Sequence, residues 1–127
     1  MIINTPVSLG ELMDKISILR IKKKNIIEKS KLIYINKELE LLELTLSKIF
    51  NDKKIEGYLI KLVSINSELW KIEDDIRDCE KNKQFDQKFI DLARLVYITN
   101  DKRSDLKLEI NKNFGSKIVE VKSYEKY

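Results

Sequence analysis

Residues 8–28 read SLGELMDKISILRIKKKNIIE, and this segment contains the signals that decide the predicted fold. Ser8 and Glu11 match the S-x-x-E capping box, in which the serine accepts from the glutamate amide and the glutamate side chain reaches back. Behind this start, apolar side chains recur at helical spacing, namely Leu9, Leu12, Met13, Ile16 and Leu19. We therefore predict that helix 1 begins here and runs to about residue 28.

Three further amphipathic segments follow. Helix 2, with Ser30 as its candidate N-cap, carries a heptad-like seam in steps of three and four: Leu32, Ile35, Leu39, Leu42, Leu46 and Ile49. Helix 3 repeats the pattern with Ile55, Tyr58, Leu62, Ile65, Leu69, Ile72, Ile76 and Cys79. Helix 4 extends from about Asp86 to Phe114 and groups Phe89, Leu92, Ala93, Val96, Ile110 and Phe114 on one face. Residues 51–54 and 81–84 are the predicted turns, and Gly115 is suited to the left-handed position after helix 4.

These segments predict an all-α fold, an antiparallel bundle of about four helices with short extended termini. The whole chain, residues 1–127, is expected to form one domain, and its 3 glycines and 1 proline argue against an all-β fold. Residues 1–7 should be an extended lead-in because of Pro6. Residues 117–121 alternate weakly and are predicted as a short strand beside residues 2–4. No glycine or proline marks the break near residue 29, so helices 1 and 2 could also be continuous.

Composition excludes several kinds of chemistry. The chain has no histidine and 1 cysteine, so it cannot contain a Ser-His or Cys-His pair, a zinc site of the usual type or an internal disulfide. Cys79 continues the helix 3 seam and should be a small buried hydrophobe. Basic and acidic residues are interleaved around a net charge of +4, which argues against a nucleic-acid surface. No signal peptide or membrane span is apparent, so we expect a cytoplasmic protein.

Acidic residues permit one metal-dependent hypothesis. All-α nucleotide pyrophosphohydrolases hold Mg²⁺ with acidic residues on neighbouring helices, and here Glu40, Glu43 and Glu73 are the candidate ligands. The paired E-E-x-x-E of those enzymes is absent, because Leu39 stands where a second glutamate is needed. A charge run is more often a solvated helix face. We therefore expect no cofactor, with Mg²⁺ as the alternative.

A second apolar stripe on helix 3 predicts contact with another surface. Leu59, Val63 and Trp70 lie off the main seam of this helix. Either helix 3 is buried on two sides within the bundle, or these residues form an oligomer interface. We expect a homo-oligomer on this basis, and a different protein partner is also possible.

Polar residues interrupt the apolar stripe of helix 4. Asn100, Arg103 and Lys107 share the angular sector of Val96 and Ile110, and such groups must be paired, hydrated or functional. Matching helix levels at 1.5 Å per residue groups six residues into one predicted ligand-binding layer: Arg20, Glu43, Asn66, Asn100, Arg103 and Lys107. Within it, Glu43 is predicted to face Arg103. The alternative is a frayed bundle end, where long side chains reach outward to water.

Three segments resemble a known family. They are SLGELMDKISILRIK (8–22), LWKIEDDIR (69–77) and FDQKFIDLARLVYITNDKRSDLKLEIN (85–111), the last followed by Gly115 and Ser116. They are similar to a family of small bacterial and phage proteins known only as a domain of unknown function. The resemblance covers nearly the whole chain and implies the same helical fold. It implies no established activity, and no catalytic residues carry over.

Three functional hypotheses follow. The first is a non-catalytic interaction or self-assembly protein. The second is a protein that binds a small anion, such as a phosphate or sugar phosphate, at the polar layer. The third is a Mg²⁺-dependent all-α nucleotide phosphohydrolase.

Overall fold

A computed structural model describes residues 1–50 and 52–127. It contains four helices: α1 (Leu9–Asn25), α2 (Lys29–Ile49), α3 (Lys53–Lys81) and α4 (Gln87–Asn113). The predicted all-α bundle is confirmed. Of the predicted turn at 51–54, Asn51 lies outside the described residues. No helix within the described ranges is long and apolar enough to cross a membrane.

The break between α1 and α2 is real. The backbone becomes extended at Ile26, whose amide closes the last turn of α1 on the carbonyl of Lys22. Helix α2 then starts from the carbonyl of Glu28, which accepts from the amides of Lys31 and Leu32 at 3.1 and 3.0 Å. Ser30 lies inside the helix, so its predicted role as N-cap is wrong.

Helix α1 is the centre of the bundle. It packs against each of the other three helices, α3 and α4 pack against each other, and α2 approaches closely only α1 among the described helices. The aromatic ring of Phe114 after α4 packs on Phe50 and Tyr58 at centroid distances of 5.2 and 5.8 Å. This contact gathers the start of α3 with the ends of α2 and α4, and the Leu9 amide at the start of α1 donates to the Ser116 hydroxyl nearby, as an up-down bundle requires.

The core surrounds most of α1. Its apolar residues are the buried Leu9, Leu12, Met13, Ile16, Leu19, Ile35, Leu39, Leu46, Ile55, Leu59, Leu62, Leu106 and Ile110. Ile21 on the opposite side of α1 is buried as well, so before its exposed last turn this helix has only a narrow solvated strip, at Lys15, instead of the wide polar face of an ordinary amphipathic helix. Cys79 is buried, as predicted. Ile49 was expected in the seam of α2, but it is the last residue of that helix and is 55% exposed.

Two helices end in the same way. Gly115 has a φ of 65°, and the amide of Ser116 donates to the carbonyl of Asn111 at 2.8 Å. This is a Schellman motif, and it confirms the prediction for Gly115. Lys83 takes the equivalent position after α3 with a φ of 53°, and the Gln84 amide donates to the carbonyl of Cys79.

The C-terminal tail does not form the predicted strand. No strand occurs within residues 1–50 or 52–127, and residues 117–127 adopt no regular secondary structure and form no backbone–backbone hydrogen bond with the part of the chain described. Side chains hold the tail to α4 instead: Glu120 accepts from Lys107, and the hydroxyl of Tyr127 donates to Asp101 at 2.5 Å. Because the tail lies along α4, it does not pair with residues 2–4.

The contact between α1 and α4 generates a prediction about Gly10. A Cβ atom built there would lie 2.6 Å from the carbonyl oxygen of Lys107, so Gly10→Ala must push the two helices apart. We expect a loss of about 1–3 kcal/mol in the free energy of unfolding, as for an overpacked core, measured by urea denaturation. Gly57→Ala is the control, because its Cβ meets nothing within 4 Å, and it should stabilise by about 0.5–1 kcal/mol. Equal effects at the two glycines would contradict the close approach.

Candidate functional site

The start of α1 is buried, and side chains satisfy its free amides. The Ser8 hydroxyl accepts from the Glu11 amide at 3.1 Å, and Asn111 Oδ1 accepts from the Gly10 amide at 2.7 Å. The hydroxyl of Ser116 accepts from the Leu9 amide at 3.3 Å. One half of the predicted capping box is confirmed. The Glu11 side chain, however, accepts from Lys107 at 2.7 Å rather than reaching back to the amide of Ser8.

A carboxylate lies buried between α1 and α3. Asp14 is 4% exposed, and its Oδ1 accepts from Nδ2 of Asn66 at 2.9 Å. The second proton on that nitrogen goes to the hydroxyl of Ser17 at 2.8 Å, and Ser17 in turn donates to the backbone carbonyl of Asp14 at 2.7 Å. A buried ionised group needs this compensation. It also fixes the orientation of the Asn66 amide, because only Nδ2 can donate to a carboxylate.

Lys107 on α4 completes the network from the other side. Its ammonium group lies 3.9 Å from Oδ2 of Asp14 and donates to Glu11 and to Glu120 at 2.7 and 3.0 Å. Burial opposes the charged form of Lys107, but the hydrogen bonds to these two glutamates outweigh it, and the pKa of Lys107 is raised above 10.5. Its stabilising effect is therefore complete below its ordinary pKa and is lost only as the pH rises through the raised value.

Glu120 ties the tail to this network. The hydrogen bond from Lys122, followed by that from Lys107, lowers the pKa of Glu120 from 4.5 to about 2. The carboxylate therefore stays ionised, and keeps its partners, well into the acid range.

A groove between α1, α3 and α4 lies beside the network. Its volume is about 500 Å³, within the range of small-molecule sites. Three of the six residues predicted for a ligand-binding layer line it: Asn66, Asn100 and Arg103. Asn66 belongs to both places, so the buried network holds one wall of the groove in position. Both of its hydrogen bonds use Nδ2, which leaves Oδ1 as a free acceptor.

Arg103 is the unusual group in this groove. Its Nε atom is buried and has no hydrogen-bond partner among the described residues. Its guanidinium group also makes no ion pair within 4.0 Å in the ranges described. Buried donors in proteins are nearly always paired. The residue as a whole is only partly buried and lines the groove, so an external acceptor bound by the guanidinium group could satisfy Nε once the side chain shifts towards it.

The remaining wall is mostly apolar. Trp70, the only tryptophan of the chain, lines the groove together with four aliphatic residues, Ile18, Ile21, Leu69 and Val96. At the rim, Arg77 forms an ion pair with Glu73 one turn away on α3, and Asp74 stands exposed beside them. The groove therefore joins one unpaired cation to an apolar surface with an aromatic ring.

A family model matches residues 3–127 of the chain, which is nearly its full length. The chain belongs to DUF6165, a family of unknown function. No curated protein and no solved structure matches it significantly. The resemblance seen in the sequence is thereby confirmed, and the function must be argued from the residues themselves.

The predicted pair of Glu43 and Arg103 is wrong. Glu43 accepts from Nε of Arg20 at 3.1 Å, and Arg20 also reaches Glu56 on α3 at 3.4 Å. Arg20 thus bridges α2 and α3, which have no close backbone approach. The single predicted layer is in fact divided: Arg20 and Glu43 form this bridge, Lys107 belongs to the buried network, and the other three residues line the groove.

The alternative metal ligands do not meet. Glu40 is exposed, Glu43 pairs with Arg20, and Glu73 pairs with Arg77. The described residues contain no group of three or more acidic or cysteine side chains arranged to hold a metal ion.

The predicted oligomer stripe on α3 is interrupted. Leu59 is only 2% exposed and belongs to the core. Val63 and Trp70 are partly exposed and line a second groove of about 510 Å³ together with Ile60 and Arg20. Trp70 and Ile21 line both grooves.

Sequence reasoning missed most of the buried network. Asp14, Ser17 and Asn111 are all buried, yet none of them was predicted as a site residue. A signal was present for α1, because Ile18 and Ile21 extend its apolar residues over most of the helix circumference. A helix with so little polar surface is largely buried, and the small polar residues between its apolar positions are then buried with it.

The buried network predicts that Asn66→Asp, which barely changes the shape of the side chain, strongly lowers the free energy of unfolding. Asn66→Asp replaces the donor that faces the Asp14 carboxylate with a second acidic group, and we expect a loss of about 3 kcal/mol at neutral pH. The repulsion raises the pKa of the acidic pair in the folded state. Stability should therefore recover as the pH falls below that raised value and one carboxyl becomes a donor again. Chemical denaturation of the variant at several pH values measures both effects.

Asn100→Asp is the matched control. Asn100 lines the same groove without contacting Asp14, so this change should alter stability by less than about 0.5 kcal/mol. Comparable losses in the two variants would contradict the assigned network.

The tail contact predicts a distinct acid dependence. Because the pKa of Glu120 is lower in the folded state, its contribution to stability is present above its ordinary value of 4.5 and is lost as the pH falls towards about 2. The difference in unfolding free energy between wild type and Glu120→Gln should be constant near neutrality and should vanish across this interval. Glu125→Gln, in the same exposed tail, should show no such trend. A constant difference down to the lowest pH would refute the ion pairing.

Proposed function

We propose that this protein binds a small anionic ligand in the groove between α1, α3 and α4. The observation that carries the proposal is the buried Nε of Arg103, which has no partner among the described residues. A carboxylate or phosphate in the groove would pair with the guanidinium fork of Arg103. A shift of this side chain towards the ligand would then give Nε an acceptor. Asn100 beside it offers an amide with both a donor and an acceptor.

The surroundings favour a ligand of low charge. Arg77 is already paired with Glu73, and Asp74 adds a further negative charge at the rim. A polyphosphate or a nucleic-acid backbone would be repelled by these acids. One phosphate or carboxylate matches Arg103, the one cation lining this groove that has no ion pair among the described residues.

The apolar wall indicates what accompanies the anionic group. Trp70 presents an aromatic surface, and the aliphatic residues beside it extend this apolar wall. Aromatic side chains of this kind pack against the flat faces of rings. Together with the free acceptor of Asn66, this supports a ring-containing ligand with hydroxyl groups, as in a sugar phosphate or nucleoside monophosphate.

Trp70 provides the test, since it is the only tryptophan and lines the groove. Inorganic phosphate, a hexose phosphate and a nucleoside monophosphate would each be titrated while tryptophan fluorescence and the thermal midpoint are recorded. We expect a saturable fluorescence change with the ring-containing ligands, and a stabilisation of about 2.7 kcal/mol at a hundred times the dissociation constant. Inorganic phosphate should bind more weakly.

Arg103→Gln should abolish the response with little cost to stability, because the removed Nε donor has no partner among the described residues. Arg94→Gln is the control, since Arg94 is an exposed arginine of the same helix, and it should respond like the wild type. A response that survives in Arg103→Gln, or no response to any of the three ligands, would rule out the proposed site.

A further inference from the structure

Helix α2 has an apolar stripe on its outer side. Ile33, Tyr34, Leu41 and Leu44 are 69%, 78%, 42% and 54% exposed. Ile33, Lys37, Leu41 and Leu44 follow one another in steps of four, four and three, which places them along one face of a helix. We call these residues, together with Tyr34, the outer stripe.

The outer stripe lies opposite the face by which α2 enters the core. The buried residues of α2 are Ile35, Leu39 and Leu46. Each lies two positions along the chain from an exposed apolar residue: Ile35 from Ile33, Leu39 from Leu41, and Leu46 from Leu44. Two positions correspond to about 200° around a helix. Helix α2 is therefore apolar on two opposite faces, as a helix between two partners would be.

Of the two apolar faces of α2, only the inner one is covered by another described helix. Among the described helices, α2 closely approaches α1 alone, and α1 covers the inner face. The outer stripe is also separate from the ligand groove, which contains no α2 residue. Several large apolar side chains grouped in this way on one exposed face mark a surface that is covered by another molecule.

We propose that the outer stripe packs against the outer stripe of a second copy of this chain, with the two α2 helices antiparallel. The charges indicate the partner and the direction. Lys37 and Glu40 are exposed, and neither forms an ion pair within the described residues. A two-fold axis between residues 38 and 39 places Lys37 of one copy opposite Glu40 of the other, twice by symmetry.

The same register also pairs apolar residues at the two ends of the contact, where Ile33 of one copy lies against Leu44 of the other. A parallel arrangement would instead place Lys37 against Lys37 in the middle of the stripe, which is unfavourable. The contact is short, so the dissociation constant should be on the order of micromolar or weaker.

Sedimentation equilibrium of the full chain tests this proposal. The wild type should dimerise in the micromolar range. Leu41→Glu should raise the dissociation constant by at least about a hundredfold, because two buried leucines are lost per dimer, while the far-ultraviolet circular dichroism stays helical. Ile60→Glu is the matched control: Ile60 is 63% exposed on α3, beside Val63 and Trp70, and its replacement should leave the dimer intact.

The charge pair tests the direction. Lys37→Glu and Glu40→Lys should each weaken the dimer about tenfold, and the double variant should restore it. A wild type that remains monomeric at high micromolar concentration would overturn the proposal. The proposal would also be overturned if Ile60→Glu dissociated the dimer while Leu41→Glu left it intact, because that result would assign the interface to α3. Failure of the double variant to recover would overturn the antiparallel register.

Discussion

The burial of the Asp14 carboxylate is the constraint on which this structure depends. Helix α1 passes through the middle of the bundle, and Asp14 passes with it into an environment where an ionised group must be compensated. Asn66 from α3 and Lys107 from α4 provide that compensation at 2.9 and 3.9 Å. The three helices are thus fixed relative to one another by directional contacts, whereas apolar packing alone tolerates rearrangement. The groove with Arg103 lies next to this network and shares Asn66 with it.

Much of the fold could be predicted from the sequence because it depends on local sequence signals. The helices are indicated by apolar residues in steps of three and four. Two of their ends are indicated by the capping serine, Ser8, and by Gly115. The central position of α1 was not predicted, since it depends on a contact far apart in sequence, in which the α4 backbone passes close to Gly10. The strand predicted for the tail rested only on a weak alternation of apolar and polar residues. The tail is held instead by the ion pair between Glu120 and Lys107, which no local sequence pattern indicates.

The candidate site was predicted in its residue types but not in its pairing. The polar interruptions of helix 4 identified Arg103, and matching the helix levels brought Asn66 and Asn100 near it. The same calculation placed Glu43 opposite Arg103, whereas Arg20 takes that carboxylate. Helix levels give heights along a bundle, but the partner of a long side chain also depends on how each helix is rotated. That rotation follows from packing between helices and is not encoded in any one of them.

We propose that Arg103 donates to an external anion, and nuclear magnetic resonance of its Nε–H group tests this directly. The resonance can be assigned by its loss in Arg103→Lys, and it would be followed while a hexose phosphate is added. We expect a saturable downfield shift of this proton, with the Nε–H of Arg94 unchanged. An Nε–H resonance of Arg103 that does not move at saturating ligand would refute anion binding at this arginine.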